Sequence, residues 1–165
     1  IFDYGVSERA TDSEAHHGIG LFSVALDKIV ALAVLMPIVA SMGGIAGSQT
    51  LTVIVRGLAL GQVTDSNRRA LLKKELRVGA LNGCVWAFVI GVLTYFWFND
   101  GMLSVTITIA ILLNLVAASL SGVVIPSILD KLKIDPALSG SVILTTVTDI
   151  VGFVTFLGLG SLLLL

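Results

Sequence analysis

One ionisable side chain, Asp149, stands inside an apolar run that extends from Leu138 to Leu165. It is the twelfth of the 28 residues in that run, so a spanning helix would hold it near the bilayer midplane. A charge at that depth costs about 3 kcal/mol on insertion scales, and intramembrane acids are usually functional. The alternative is a protonated Asp149 that hydrogen-bonds to a neighbouring helix. We treat Asp149 as the first candidate functional residue.

The same run places hydroxyl groups and a glycine beside this carboxylate. Positions three and four apart share one face of a helix. The face that carries the carboxylate comprises Ser141, Thr145, Thr148, Asp149 and Gly152. Such a stripe can hydrogen-bond the water shell of a cation. Ser, Thr and Gly also pack helices together in membranes, but a carboxylate centred among them favours a water-lined path.

A glycine-rich segment is the second candidate region. Pro37 and then residues 42–47, Met-Gly-Gly-Ile-Ala-Gly, interrupt an apolar stretch from Ile29 to Val55. Glycine lets two backbones approach closely, and irregular backbone at membrane depth is tolerated beside protein or a wet cavity. The segment therefore predicts a break in the first spanning helix at the depth of Asp149. A pore, a dimer axis and helix packing stay open as its role.

The composition predicts a polytopic helical membrane protein. Hydrophobic residues make up 56% and charged residues 13% of the sequence, and the mean hydropathy is +1.01, whereas soluble domains carry about 25% charged residues. No short alternating segments indicate a β-barrel. The net charge of -1 gives no basic surface for nucleic acid. HExxH, GxSxG and Walker A patterns are absent, so we expect neither an enzyme nor an organic cofactor.

Apolar segments predict the membrane crossings and the domain limits. The predicted spans cover about 29–55, 78–98, 102–129 and 138–165. Residues 1–18 are polar and acidic, which predicts an extramembrane segment ahead of a membrane domain at 19–165. His16 and His17 are adjacent and lack a third ligand nearby, so we expect no metal site there. A first residue other than Met predicts a fragment or a processed chain.

The basic residues predict the orientation in the plasma membrane. Of ten Lys and Arg residues, six lie between Arg56 and Arg77, and two, Lys131 and Lys133, lie after the third span. The turn after the second span has none. The positive-inside rule then places both basic connections in the cytoplasm and both termini outside.

No basic residue within the spans neutralises Asp149. A lone buried carboxylate must protonate, meet water or meet a cation. Four spans are few to enclose a pore, and a twofold dimer would bring two copies of Asp149 together on its axis. A divalent cation would relieve the repulsion between them. Mg²⁺ keeps several waters in such a site, but oxygen ligands suit Ca²⁺ and Mn²⁺ as well.

Two stretches resemble the membrane domain of MgtE-type magnesium channels. They are Pro37 to Gly61, PIVASMGGIAGSQTLTVIVRGLALG, and Asp135 to Phe153, DPALSGSVILTTVTDIVGF. The resemblance implies a homodimer with five helices per protomer, whose pore lies between the subunits and is lined by helices matching the first and fourth spans. It implies that Asp149, in a TTxxD pattern, binds hydrated Mg²⁺ with its partner copy. Asp135, in a DPA pattern, would bind regulatory Mg²⁺ at the cytoplasmic mouth. The implied pore-lining positions are Gly43, Gly44, Ile45, Gln49, Ser141, Thr145, Thr148 and Gly152.

The chain departs from the family pattern at three points. Ile45 stands where the family usually has Asn in GGNxGxQ. The family's first membrane helix has no counterpart, and neither do its cytosolic N-terminal and CBS domains. We expect a shortened fragment, a natural short form, or a partner that supplies those parts, and gating by cytosolic Mg²⁺ cannot reside wholly in this chain.

Two other functions stay open beside a magnesium channel. In an ion-coupled secondary carrier, Asp149 would alternately bind a proton or a cation, although the halves of the chain show no inverted repeat. In a non-transport assembly subunit, Asp149 would serve as a polar contact between helices.

Overall fold

A computed structural model describes residues 4–164, with side chains from residue 23 onward, as four helices. These are α1 (Tyr4–Ala59), α2 (Arg68–Phe98), α3 (Gly101–Lys131) and α4 (Pro136–Leu163). Each is long and apolar enough to cross a membrane, α1 through its part Ser23–Ala59. Residues 4–164 contain no strand. The prediction of an all-α, multi-pass membrane protein with four spans is confirmed.

The polar segment at the N-terminus belongs to α1 as far back as Tyr4. No helix boundary separates residues 4–18 from the membrane domain. Whether that segment lies outside the membrane stays a prediction. His16 and His17 lie outside the residues whose side chains are described.

A short polar turn reverses the chain between α2 and α3. Asn99 ends α2 in the left-handed conformation, with φ of 52°, and its N–H donates to Tyr95 O at 2.8 Å. The Asp100 carboxylate accepts hydrogen bonds from the N–H groups of Met102 and Leu103 at 2.9 and 3.1 Å. These bonds satisfy N–H groups that a helix start leaves without a partner. The two helices therefore form an antiparallel pair.

Helix α3 lies at the centre of the molecule. It packs against α1, α2 and α4, whereas α1 and α2 barely touch and α2 and α4 do not meet within the described chain. In its most apolar stretch 50% of the residues are buried, against 22% in α2 and in α4. Ile107, Ala110, Ile111 and Ala118 are fully buried. The other three helices thus depend on α3 for most of their packing.

Small residues bring α2 close to α3. A Cβ at Gly79 would overlap the hydroxyl group of Ser119, and a Cβ at Gly91 would overlap that of Thr108. Small residues let membrane helices approach until backbone and side chain touch. Gly79 and Gly91 therefore serve the packing of α2 against α3.

The predicted break at Pro37 and the glycines is wrong, because α1 continues without interruption through residues 37–47. The glycines admit neighbouring side chains instead of opening the helix. A Cβ at Gly43 would overlap the Asn114 amide, and one at Gly47 would lie 3.0 Å from Leu144 Cδ2. Pro37 lies on the exposed side of α1.

The two basic connections lie at the same end of the molecule. Asp65, in the connection between α1 and α2, lies with Oδ1 3.6 Å from Lys131 Nζ at the end of α3. At the opposite end, Lys28 Nζ donates to Leu164 O at 3.2 Å. This arrangement agrees with four alternating crossings, and the side that faces the cytoplasm stays a prediction from charge.

Candidate ion-binding groove

A groove of ≈ 590 Å³ runs between α1 and α4 and opens outward from the helix bundle. Its α1 side presents small and polar residues together with one apolar residue, Ile45, and its α4 side presents Thr145 and Asp149. The α1 residues are Ala40, Ser41, Gly44, Ile45, Ser48, Gln49 and Thr52. Asp149 is the one ionisable side chain among these lining residues. The groove therefore joins the two candidate regions that the sequence indicates.

Asp149 stands at the middle of its helix. It is the fourteenth of the 28 residues of α4, and its side chain is half-buried. Within the described residues no Lys or Arg side chain forms an ion pair with it, since both recorded salt bridges involve Asp65. The carboxylate thus faces the groove without a protein counter-ion.

The hydroxyl groups along the groove donate their hydrogens to their own helices. Ser48 Oγ donates to Gly44 O at 2.8 Å, and Thr52 Oγ1 donates to Ser48 O at 2.8 Å. Thr145 Oγ1 makes the same kind of bond to Ser141 O at 3.0 Å. A hydroxyl group has one hydrogen and two lone pairs, so each oxygen keeps acceptor capacity for the groove. The groove wall accepts hydrogen bonds, which suits the waters of a hydrated cation because those waters donate.

Gly44 brings the two walls of the groove together. A Cβ at this position would lie 4.0 Å from both Thr145 Cγ2 and Thr148 Oγ1. Its neighbour Ile45 is 61% exposed at the groove, and Gln49 is exposed one turn further along α1. The groove therefore has a branched apolar side chain at position 45.

Four of the predicted pore-lining residues lie outside the groove lining. Gly43, Thr148 and Gly152 are buried between helices, and Ser141 is exposed beyond the groove. Thr148 Oγ1 donates to Thr145 O at 3.1 Å. The predicted stripe on α4 therefore divides, with Thr145 and Asp149 on the groove and Thr148 and Gly152 against the bundle. Their role in a pore stays a prediction.

Asn114 of α3 occupies the place where those buried glycines meet. It is fully buried, and its Nδ2 donates to Val39 O of α1 at 2.7 Å. A Cβ at Gly43 would overlap its amide, and a Cβ at Gly152 would lie 2.9 Å from Nδ2. Its Oδ1 accepts no hydrogen bond from any described residue. One polar side chain thus joins three helices directly behind the groove.

The sequence alone contains a signal for Asn114. It is the only Asn within the apolar span between residues 102 and 129. A polar side chain in that position needs an acceptor and space. Its partners could not be identified without the relative rotation of α1 and α3.

Asp135 lies apart from the groove, at the start of α4. Its carboxylate accepts a hydrogen bond from the N–H of Ala137 at 2.8 Å, with Pro136 as the first helical residue. Asp149 follows fourteen positions later along the helix, which corresponds to about 21 Å along the axis. No group of three or more His, Cys, Asp or Glu side chains is assembled among the residues with described side chains. Neither Asp135 nor Asp149 therefore belongs to a cluster of metal-ligating side chains within the described residues.

Comparison with known proteins gives one family. The family model described as MgtE, divalent cation transporter, matches residues 36–159. The magnesium transporter MgtE of Bacillus subtilis is 33% identical over 143 residues, and that of Thermus thermophilus is 31% identical over 143 residues. Each alignment covers 87% of this chain and 32% of the relative. The magnesium transporter MgtE of Enterococcus faecalis is 32% identical over 131 residues, covering 79% of this chain and 29% of the relative.

The chain thus spans about a third of the length of these relatives. The matched residues include all nine that line the groove, the whole of α3, and the parts of α1 and α4 that meet at Asn114. The chain belongs to the MgtE family of divalent cation transporters.

Proposed function

We propose that this chain forms the ion-permeation part of a magnesium transporter, in which hydrated Mg²⁺ passes along the α1–α4 groove and binds at Asp149. The observation that carries the proposal is the unpaired carboxylate at mid-helix, facing a wall of acceptor oxygens. Mg²⁺ dehydrates reluctantly and keeps several waters. A wall that accepts hydrogen bonds therefore stabilises the ion through its waters.

The size of the groove supports a hydrated ion. Six waters around an octahedral Mg²⁺ occupy about 180 Å³ at about 30 Å³ each. The groove of one chain holds ≈ 590 Å³, so the ion need not lose its shell. The name of the relatives as magnesium transporters supports Mg²⁺ as the ion.

The open side of the groove supports a homodimer. One chain supplies one carboxylate at membrane depth, and its groove is not enclosed. A second copy facing it across a twofold axis would close the path and add a second Asp149. Two facing carboxylates favour a divalent over a monovalent cation, because a single positive charge leaves one carboxylate uncompensated.

Flux into liposomes tests the assignment of Asp149. We expect Asp149→Asn, which keeps the size of the side chain, to lower Mg²⁺ influx about tenfold, or about 1.4 kcal/mol in the barrier. Asp130→Asn is the control because Asp130 is an exposed carboxylate at the end of α3. Equal influx for the wild type and Asp149→Asn would contradict the role of Asp149. Absence of influx with the wild-type chain would favour a non-transport subunit.

Thiol cross-linking tests the homodimer. Cys84 is the sole cysteine and is exposed on α2. Ile45→Cys in a Cys84→Ser background places the thiol beside the groove instead. We expect a short bifunctional thiol reagent to give a covalent dimer through position 45 and far less through Cys84. Cross-linking through Cys84 alone would place the contact on another face.

A further inference from the structure

A small pocket at the basic end of the molecule lies between the first turns of α2 and the last turns of α3. It has a volume of ≈ 220 Å³ and is lined by three polar and four apolar residues. The polar residues are Arg68, Ser127 and Lys131, and the apolar ones are Leu72, Val123, Val124 and Ile128. It is separate from the α1–α4 groove and shares no lining residue with it.

Ser127 is the unusual residue of this pocket. It is only 4% exposed, and its Oγ makes no hydrogen bond to any described residue. Ser119, two turns earlier on α3, is as deeply buried but donates to Leu115 O at 3.0 Å. A buried hydroxyl group without a partner is costly. The Ser127 hydroxyl is therefore available to donate to a ligand in the pocket that it lines.

The basic residues of the pocket form weak ion pairs with one carboxylate, that of Asp65. Arg68 Nη1 and Lys131 Nζ lie 3.1 and 3.6 Å from the same oxygen of Asp65, whose side chain is 82% exposed. Arg68 Nε is buried and makes no hydrogen bond to a described residue. The three charges sum to one excess positive charge, and an ion pair with so exposed a carboxylate contributes little. The two basic residues of the pocket, Arg68 and Lys131, therefore favour an anion.

We propose that this pocket binds one anionic glycerophospholipid of the cytoplasmic leaflet, with the phosphodiester held by Arg68, Ser127 and Lys131. Phosphate oxygens accept hydrogen bonds from Arg, Lys and hydroxyl groups. Four of the seven lining residues are apolar, and these contact the glycerol and the upper part of an acyl chain. The volume is below the roughly 300–1,000 Å³ typical of pockets for drug-sized ligands, which fits a headgroup better than a nucleotide.

The location also favours a lipid. The positive-inside rule predicts that the basic connections lie at the cytoplasmic face, where anionic lipids attract clustered Lys and Arg residues. The pocket sits at the ends of two spanning helices, where headgroups lie. The proposal is independent of ion permeation through the groove.

Native mass spectrometry of the purified chain tests the proposal, with dioleoyl-phosphatidylglycerol as the probe and dioleoyl-phosphatidylcholine as the neutral comparison. We expect one phosphatidylglycerol retained per chain, and a loss of occupancy of about fivefold in Arg68→Gln and about twofold in Ser127→Ala. Arg69→Gln is the matched control, because Arg69 is an exposed neighbour that does not line the pocket. Equal loss in Arg69→Gln, or equal retention of both lipids, would overturn the proposal.

A variant that should increase lipid occupancy provides a second test. Asp65→Asn removes the competing carboxylate, and we expect it to raise phosphatidylglycerol occupancy about twofold. Lower or unchanged occupancy would contradict the role assigned to Asp65. Glycerophosphoglycerol and inorganic phosphate serve as chain-free probes. Displacement of the lipid by either at equal concentration would show an anion site without lipid specificity, and the proposal would fail.

Discussion

Asp149 and Asn114 are both polar side chains inside apolar helices, but their surroundings differ. Asn114 is enclosed by Gly43 and Gly152 and donates to a backbone carbonyl of α1. Asp149 is half-buried beside open space and has no ion-pair partner among the described side chains. The polar residue that serves packing is closed in by small residues, whereas Asp149, the proposed ion ligand, keeps open space beside it.

The adjacent glycines of α1 repeat this contrast. Gly43 turns toward α3 and admits the Asn114 amide, while Gly44 turns toward α4 and lines the groove. Successive residues of a helix differ by about 100° in direction. One dipeptide therefore serves packing on one side and the groove on the other. The following variants separate the two roles, and stability should respond at Gly43 and transport at Gly44.

Gly43→Ala should have the largest effect on stability. Its Cβ would overlap the Asn114 amide, and overpacking of this kind costs about 1–3 kcal/mol. The free energy of unfolding in mixed micelles, measured by denaturant titration, checks this. Gly158→Ala is the control, because no atom lies within 4 Å of a Cβ at Gly158. An equal effect of the two variants would mean that Asn114 does not sit against Gly43.

Asn114→Ala tests the same contact from the other helix. Loss of the hydrogen bond to Val39 O should cost about 0.6–2 kcal/mol, the range seen for polar contacts between membrane helices. Combined with Gly43→Ala, the double variant should be about 0.5–3 kcal/mol more stable than the sum of the single effects, because the overlapping amide is gone. If the change in the free energy of unfolding of the double variant equals the sum of the two single changes, Gly43 and Asn114 are not in contact.

Gly44→Ala should act on transport more than on stability. A Cβ at Gly44 would make only ordinary contacts at 4.0 Å, so the free energy of unfolding should change by less than about 0.5 kcal/mol. The added methyl group narrows the groove opposite Thr145. We expect Mg²⁺ influx into liposomes to fall about threefold, or about 0.65 kcal/mol. A loss of stability as large as that of Gly43→Ala would remove the distinction between the two glycines.

Thr145→Val should have the smallest effect. The change keeps the shape of the side chain and removes the hydroxyl oxygen of a groove-lining residue. We expect about a twofold decrease in Mg²⁺ influx, and Thr145→Ser should retain the wild-type rate. Thr146→Val is the matched control, because Thr146 makes the same kind of bond, to Val142 O at 2.9 Å, but does not line the groove. The same influx for Thr145→Val and Thr146→Val would mean that this oxygen does not contact the ion's waters.

The sequence predicts the four spans and the candidate carboxylate because both are properties of single segments. Asp149 can be identified from the free-energy cost of a charge in an apolar run, which does not depend on the neighbouring helices. The roles of Gly43, Thr148 and Gly152 depend on which helix each one meets. That information lies in the rotation of α1 and α4 about α3, which a local pattern does not contain. The break expected at the glycines was wrong for the same reason, since the space beside Gly43 is filled by a residue 71 positions later.

The central place of α3 has a consequence for how the protein is assembled in the membrane. Since α1 and α2 barely touch within the described chain, the insertion of α2 during synthesis gives α1 few packing contacts. Its packing partners within the described chain are α3 and α4, so these contacts form only once α3 is inserted. The groove exists only after α4 follows. The wall that carries Gly44 is therefore synthesised before α3, and the carboxylate that completes the groove is synthesised after it.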